Sequence, residues 1–198
     1  MLDGIMAATK ATHYKIFLTS TDHSNYRYKI YPDYKGNRKA EKPKHYLHIR
    51  EYLEYEKEAE VIYGEEADDA LGYNQTEGTV ICSIDKDLLM IPGKHYNFVK
   101  QELYTISKQE GLCNFYGQLL LGDIGDNIPG CPGIGKKGVE KLLHPDLSEQ
   151  EMLEVCKEAY IKQYEKKGLE NPLEDMLRNG QLLKIKQYKD EELWKFSH

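Results

Sequence analysis

The chain lacks the arrangements of cysteine and histidine that build zinc sites. Cys82, Cys113, Cys131 and Cys156 are scattered with no C-x-x-C pair, and none of the seven histidines stands at zinc spacing or pairs as in a triad. Free thiols of a reducing compartment are therefore expected, not disulfides. No apolar run approaches the roughly 20 residues of a membrane span, and no signal-peptide pattern is expected at the start. There is no G-x-x-x-x-G-K-S/T phosphate loop, no internal repeat and no low-complexity tract, which removes the common nucleotide fingerprint and repeat architectures. Basic residues are also short: 27 Lys and Arg face 33 Asp and Glu, for a net charge of −6. That balance argues weakly against polyanionic partners, because phosphate contacts need Lys and Arg.

What is present refines this. With 198 residues, 40% hydrophobic and 30% charged, the chain is long enough for one medium domain, or a core domain with a smaller helical appendage. Its basic residues are concentrated. Arg27, Lys29, Lys35, Arg38, Lys39, Lys42 and Lys44 stand against only Asp33 and Glu41 in residues 27–44, and Lys136, Lys137 and Lys141 form a second patch. Sixteen tyrosines are many for this length; they could stack on bases, but most are expected to pack the interior.

Periodicity predicts an amphipathic helix over 2–12, a short strand over 14–19, a helix from Pro43 through Glu58 with Tyr46, Ile49 and Leu53 on one face, and a strand over 60–63. A helix over 66–74 follows, its acidic first turn favoured by the helix dipole, then a continuous apolar strand over 79–84 of the kind found in parallel sheets. Residues 95–99 and 102–106 alternate like a hairpin with a Lys100-Gln101 turn. From Gly111 onward the character is helical, with helices expected over 137–143, 148–166 and 173–187. The expected organisation is an α/β layer, residues 1–110, followed by an all-helical module, residues 111–198.

Acidic residues mark the places where the chain leaves strands. Asp22 follows the first strand, Glu66, Asp68 and Asp69 (G-E-E-A-D-D-A) the second, and Asp85 and Asp87 (S-I-D-K-D-L) the third. Ligands of open α/β sheets gather at the carboxyl ends of strands, so adjacent parallel strands would bring these carboxylates to one edge. Converging carboxylates repel one another unless cations lie between them, and oxygen-only donors suit Mg²⁺ or Mn²⁺. The plain alternative is helix capping, which would explain any one of them alone. Asp123 and Asp126 form a further acidic pair in L-G-D-I-G-D-N-I-P-G. The glycine-rich run after them supplies, at Gly133-Ile134-Gly135 with Lys136 and Lys137, a tight turn whose bare N–H groups can hold a backbone phosphate. A structural helix–turn–helix with no ligand is the simpler reading of that run. Lys35 and Arg38 lie in an aperiodic stretch; beside a metal cluster they could offset charge on a phosphate, and otherwise they belong to a solvated loop.

Y-P-D-Y-K-G-N-R, G-E-E-A-D-D-A, S-I-D-K-D-L and G-D-I-G-D-N-I-P-G-x-P-G-I-G-K-K occur here in one order and spacing. In this the chain resembles the phage and bacterial 5′ nucleases, the flap endonuclease and 5′→3′ exonuclease superfamily also found as the N-terminal domain of bacterial DNA polymerase I. The likeness runs from about Tyr14 to Leu143. It implies an α/β fold: a PIN-like parallel-sheet domain followed by a helix–three-turn–helix module that grips duplex DNA through Gly133, Ile134, Gly135 and Lys136, where relatives can also hold K⁺. It further implies two Mg²⁺ sites, replaceable by Mn²⁺. Asp22, Glu66, Asp68 and Asp69 would serve the first, and Asp85, Asp87, Asp123 and Asp126 the second, with Lys35 and Arg38 engaging the scissile phosphate.

The family's usual first strand, which carries an aspartate, has no counterpart here, since residues 2–12 follow helical spacing; a late start site, a fragment or a true variant would each explain it. The expected function is a metal-dependent 5′ nuclease acting on DNA with 5′ ends or flaps in replication or repair, in the cytoplasm of a bacterial or phage-infected cell. A non-cleaving, structure-specific DNA-binding module is the alternative. Because phage RNases H share the fold, RNA–DNA hybrids are a second possible substrate.

Overall fold

Three short apolar runs make the strands that deliver the acidic loops. In the computed structural model, which describes residues 1–196, β1 (Phe17–Thr19) lies parallel to β2 (Glu60–Ile62), with Phe17 opposite Glu60. β3 (Val80–Cys82) lies parallel to β4 (Gly93–Asn97), with Val80 opposite Lys94. β4 turns back antiparallel into β5 (Glu102–Ile106), Gly93 facing Ile106. Asn97 shapes that hairpin by accepting from the N–H groups of Val99 and Lys100, and Gln101 takes the left-handed conformation (φ 58°). The strands therefore form two small sheets, β1–β2 and β3–β4–β5. The expectation that the first three predicted strands would be immediate neighbours is corrected: among the described residues β3 pairs with β4 and not with β2.

The helices are α1 (Leu2–Thr9), α2 (Arg27–Ile30), α3 (Tyr46–Glu51), α4 (Ala67–Tyr73), α5 (Lys108–Leu121), α6 (Lys136–Leu142), α7 (Glu149–Lys167) and α8 (Pro172–Leu183). Capping boxes start the two long ones: Ser107 with Glu110 opens α5, and Ser148 with Glu151 opens α7. Gly168, at φ 64°, ends α7 in the left-handed conformation, and Pro172 at the first position starts α8. The helix expected over 43–58 is shorter, running on from α3 as a π-helical turn over Tyr52–Glu56. Its predicted inward face is also corrected, since Ile49 is 58% exposed. Apolar side chains at 46, 47, 49, 52, 53 and 55 lie on all sides of this segment, so no single stripe is available to bury.

One core joins both halves. Phe115, Tyr116, Leu119 and Leu120 of α5 pack with Met152, Cys156 and Tyr160 of α7 and Met176 and Leu182 of α8. The same cluster includes Ile81 of β3 and Leu88, Met90 and Ile91 just beyond it. The change from strands to helices falls at Ser107, but burial is continuous across residue 110. All four cysteines are free thiols, with Cys131 and Cys156 buried.

Candidate metal centre

The end of β1 starts the site. Thr19 Oγ1 accepts from the N–H of Ala67 at 2.9 Å, so the first strand fixes the entry of α4, and Glu66 stands as that helix's N-cap. Asp87 opens a single 3-10 turn after β3, where Asp85 Oδ1 accepts from its N–H at 2.9 Å. Asp123 and Asp126 lie on the loop after α5. There Asp123 and Ile128 form an antiparallel bridge, and Asp123 Oδ1 accepts from the N–H of Gly125. These three chain segments meet. Glu66, Asp68, Asp87, Asp123 and Asp126 line one cavity of about 30 Å³ together with Arg27, Tyr34 and Gln118.

Charges respond to this convergence. Burial, followed by the neighbouring Glu66 and Asp85 carboxylates, pushes the Asp68 carboxyl up to about 7. Burial and then the Asp85 and Asp123 carboxylates push Asp87 up to about 6. Asp85 is itself exposed and does not line the cavity, yet its field reaches both groups. Cationic and hydroxyl partners meet the remaining negative charge. Lys35 Nζ pairs with Glu66 and lies 3.6 Å from Asp126 Oδ2, while Arg38 pairs with Asp126 Oδ1. Lys86 Nζ stands 4.0 Å from both Asp87 and Asp123.

Residues 33–38 are laced to the Asp123 loop across 87 to 94 residues of sequence. The Lys35 N–H donates to the Asp126 carbonyl at 2.9 Å, Arg38 Nε to the Gly125 carbonyl at 3.1 Å, and Asn127 Nδ2 to the Asp33 carbonyl at 2.9 Å. Asn37 Nδ2 donates to the carbonyl of Ile124. Lys35 is half-buried beside Glu66, while Arg38 pairs with Asp126 and stays exposed to solvent.

Two further expected ligands, Asp69 and Asp22, like Asp85, do not line this cavity. Asp69 is fully buried in a bidentate pair with Arg27, at 2.6 and 3.0 Å, and its oxygens also accept from the N–H groups of Glu66 and Lys186. Burial opposes its ionisation, but the Arg27 pair prevails and holds its carboxyl below the ordinary value. Its role is the capping one that competes with ligation at any helix start. Asp22 is exposed in the turn after β1, where its Oδ1 accepts from the N–H of Ser24, and it does not line the cavity.

Three residues were not anticipated. Arg27 is buried and donates to the Leu182 and Lys184 carbonyls, tying the segment after α8 to the back of the site. The Tyr34 hydroxyl lies 3.1 Å from Glu66 Oε2 and 2.9 Å from Asp126 Oδ2, and burial followed by the Glu66 charge holds it in the protonated form. Gln118 Nε2 donates to Asp87 Oδ1 at 2.5 Å. Tyr34 was signalled only by its place next to Lys35, and Gln118 by nothing, since α5 reads as an ordinary core helix.

The donor set is all oxygen, and its carboxylates share more negative charge than Lys35, Arg38 and Lys86 screen, which fits hard divalent cations. Among the described residues, however, no three His, Cys, Asp or Glu side chains already stand as a closed ligand set. Several of the oxygens are turned toward Lys35, Arg38, Tyr34 and Gln118.

Beyond the cluster, Gly133 (φ 83°), Ile134 and Gly135 form the turn that enters α6, with Lys136 and Lys137 exposed on its first turn. Ile134 is half-buried against the core.

Comparison with known sequences and folds makes the chain a relative of the 5′ nuclease superfamily. Among particular relatives, a 5′-3′ exonuclease of Buchnera aphidicola subsp. Schizaphis graminum is 31% identical over 147 residues, 65% of this chain and 51% of that protein. DNA polymerase I of Bacillus caldotenax is 30% identical over 166 residues, 72% of this chain and 19% of that protein. The chain thus spans about half the length of the curated exonucleases it matches. No protein-family model matches it.

Among solved structures, T5 5′-exonuclease with bound zinc ions matches at a TM-score of 0.53 and 18% identity, over 90% of this chain and 88% of that one. A bacteriophage T5 flap endonuclease in a pseudo-enzyme–product complex with DNA and metal ions matches at 0.51 and 18%, over the same shares. The mixed α/β fold is therefore the fold of those proteins.

Proposed function

We propose that the chain is a metal-dependent 5′ nuclease that hydrolyses phosphodiester bonds of DNA bearing a free 5′ end or a flap, in replication or repair. The observation that carries this reading is the meeting of Glu66, Asp68, Asp87, Asp123 and Asp126 in one cavity, with Lys35 paired to Glu66 and Arg38 to Asp126. With Asp85 nearby, these carboxylates would hold two Mg²⁺ ions, for which Mn²⁺ could substitute; the metal ions in the T5 structures support a metal cofactor. Asp22 and Asp69 are left out of the set. Divalent cations at such a site supply Lewis-acid stabilisation of phosphate charge. Lys35 and Arg38 neutralise charge building on the phosphate oxygens, and Tyr34 holds the Glu66 and Asp126 carboxylates in register.

Residues 111–198 would grip the duplex. The turn at Gly133, Ile134 and Gly135 would present N–H groups to a backbone phosphate, with K⁺ as a possible companion ion, and Lys136 and Lys137 would supply charge. The DNA complex of the T5 flap endonuclease supports DNA as the substrate class, with RNA–DNA hybrids as a second substrate. Its place is the cytoplasm of a bacterial or phage-infected cell.

The test is cleavage of a 5′-labelled flap with Mg²⁺, run beside an RNA–DNA hybrid. The Asp85→Ala/Asp87→Ala double variant should lose cleavage while still binding the flap in Ca²⁺. If the unaltered chain binds flaps but cuts in neither Mg²⁺ nor Mn²⁺, the non-cleaving DNA-binding reading replaces this one.

A further inference from the structure

Helix α5 reaches the acidic cavity through one side chain, Gln118. Its Nε2 donates to Asp87 Oδ1, and its Oε1 is shut off from solvent with no hydrogen-bond partner in the protein. The Gln118 backbone carbonyl accepts from the N–H of Gly122 at 2.7 Å, the residue that precedes Asp123. Gln118 therefore stands between two of the acidic segments. A buried carbonyl oxygen left unpaired costs about 1–3 kcal/mol. Turning the amide over gives no relief: Oε1 would then face the Asp87 carboxylate, and the NH₂ group would lose its acceptor. Neither orientation satisfies the group from within the chain, so the missing partner is a donor from outside it. The cavity's carboxylates, when ionised, only accept, and its Arg27 and Tyr34 donors are directed at Asp69, Glu66, Asp126 and backbone carbonyls. Water in the shell of a hard divalent cation is a polarised donor, and Mg²⁺ keeps several of its waters when bound.

We infer that Gln118 is a positioning residue of the metal centre: its amide NH₂ aims the Asp87 carboxylate, and its carbonyl accepts from water of a bound, hydrated divalent cation. This rests on the metal-binding reading given under Proposed function. It explains why a core-packing helix turns an amide toward the cavity. Removing the amide should therefore affect cation affinity rather than the metal-free fold.

The experiment is Mn²⁺ titration of the full chain, followed by calorimetry and by loss of the free-ion spin-resonance signal, with thermal unfolding in chelator alongside. It compares the unaltered protein, Asp87→Asn, Gln118→Leu and the near-isosteric Gln118→Met. Both Gln118 variants are expected to weaken Mn²⁺ binding about 10- to 100-fold, the usual effect of removing a group that orients a ligand. Their metal-free melting temperature should be unchanged or higher. A purely structural glutamine gives the reverse: a lowered metal-free melting temperature with Mn²⁺ affinity within twofold of the unaltered chain, which overturns the inference. If Asp87→Asn loses Mn²⁺ and both Gln118 variants keep it, only the role of Gln118 falls. If the unaltered chain takes up no Mn²⁺ at all, the metal reading falls and the role of Gln118 with it.

Discussion

At the scale of single residues, Asp69 separates two things that a carboxylate at a helix start can do. It sits among candidate ligands in sequence, one position after Asp68, yet the helical geometry turns it inward onto Arg27. There it holds the N–H of Glu66, so it acts on the acidic cavity by fixing the neighbour that lines it. Asp69→Asn leaves the buried Arg27 guanidinium without a charged partner and should cost about 3–5 kcal/mol of stability, read by denaturant unfolding. The pH dependence follows from the direction of its shift. The folded carboxyl is held below its ordinary value of 3.8, so its contribution is present above that value and is lost as pH falls through the folded one. Acid unfolding of the unaltered protein should show that loss, and the Asn variant should show a shallower acid limb.

At the scale of elements, the loop after α5 is held by backbone that only glycine can adopt. Gly122 has φ 71°, and a Cβ there would lie 2.3 Å from the Ile128 carbonyl oxygen and 2.5 Å from the Gly130 nitrogen. The Asp123–Ile128 bridge depends on that close approach. Gly122→Ala should therefore destabilise by about 2 kcal/mol or more and weaken divalent-cation binding together with it, measured by thermal unfolding with and without Mn²⁺. Retained stability and unchanged cation affinity would show that Asp123 is placed by other contacts. The turn into α6 offers a contrasting element, open and basic where the Asp123 loop is tight and acidic. Lys136→Ala and Lys137→Ala should weaken duplex binding for all sequences alike and each reduce the salt slope by about 1.

At the scale of the whole molecule, the carboxylates from three segments make the metal-free protein carry a local excess of negative charge. Mg²⁺ or Ca²⁺ should raise the melting temperature, by an amount corresponding to about 2.7 kcal/mol at 100 times the dissociation constant, and chelator should reverse it. No such response would argue against cation binding at this cavity. The shared core matters for the same site. Because α5 and α8 pack with the turn after β3, the helical half builds one wall of the cavity through Gln118, Leu182, Leu183 and Ile185. Buried residues on both sides of residue 110 belong to one cluster.

Much of this was legible along the chain. Alternating or apolar runs marked the strands, helical spacing marked most of α7, and G-D-I-G-D-N-I-P-G marked a glycine-rich loop. α2 was not legible, because one turn in a basic segment has too few positions for a periodic pattern. The exposure of Ile49 was not legible either, since apolar spacing predicts a face without saying whether anything covers it. The chemistry of residue types was thus determined by the sequence alone: oxygen donors in clusters, lysine and arginine nearby, and glycine where the backbone must turn tightly. Which donors share a space was decided only in three dimensions. Asp68 and Asp69 are neighbours on one helix turn, yet one enters the cavity and the other is taken by Arg27. A side chain's partners are set by the direction in which packing points it, and that direction depends on residues far away in the chain.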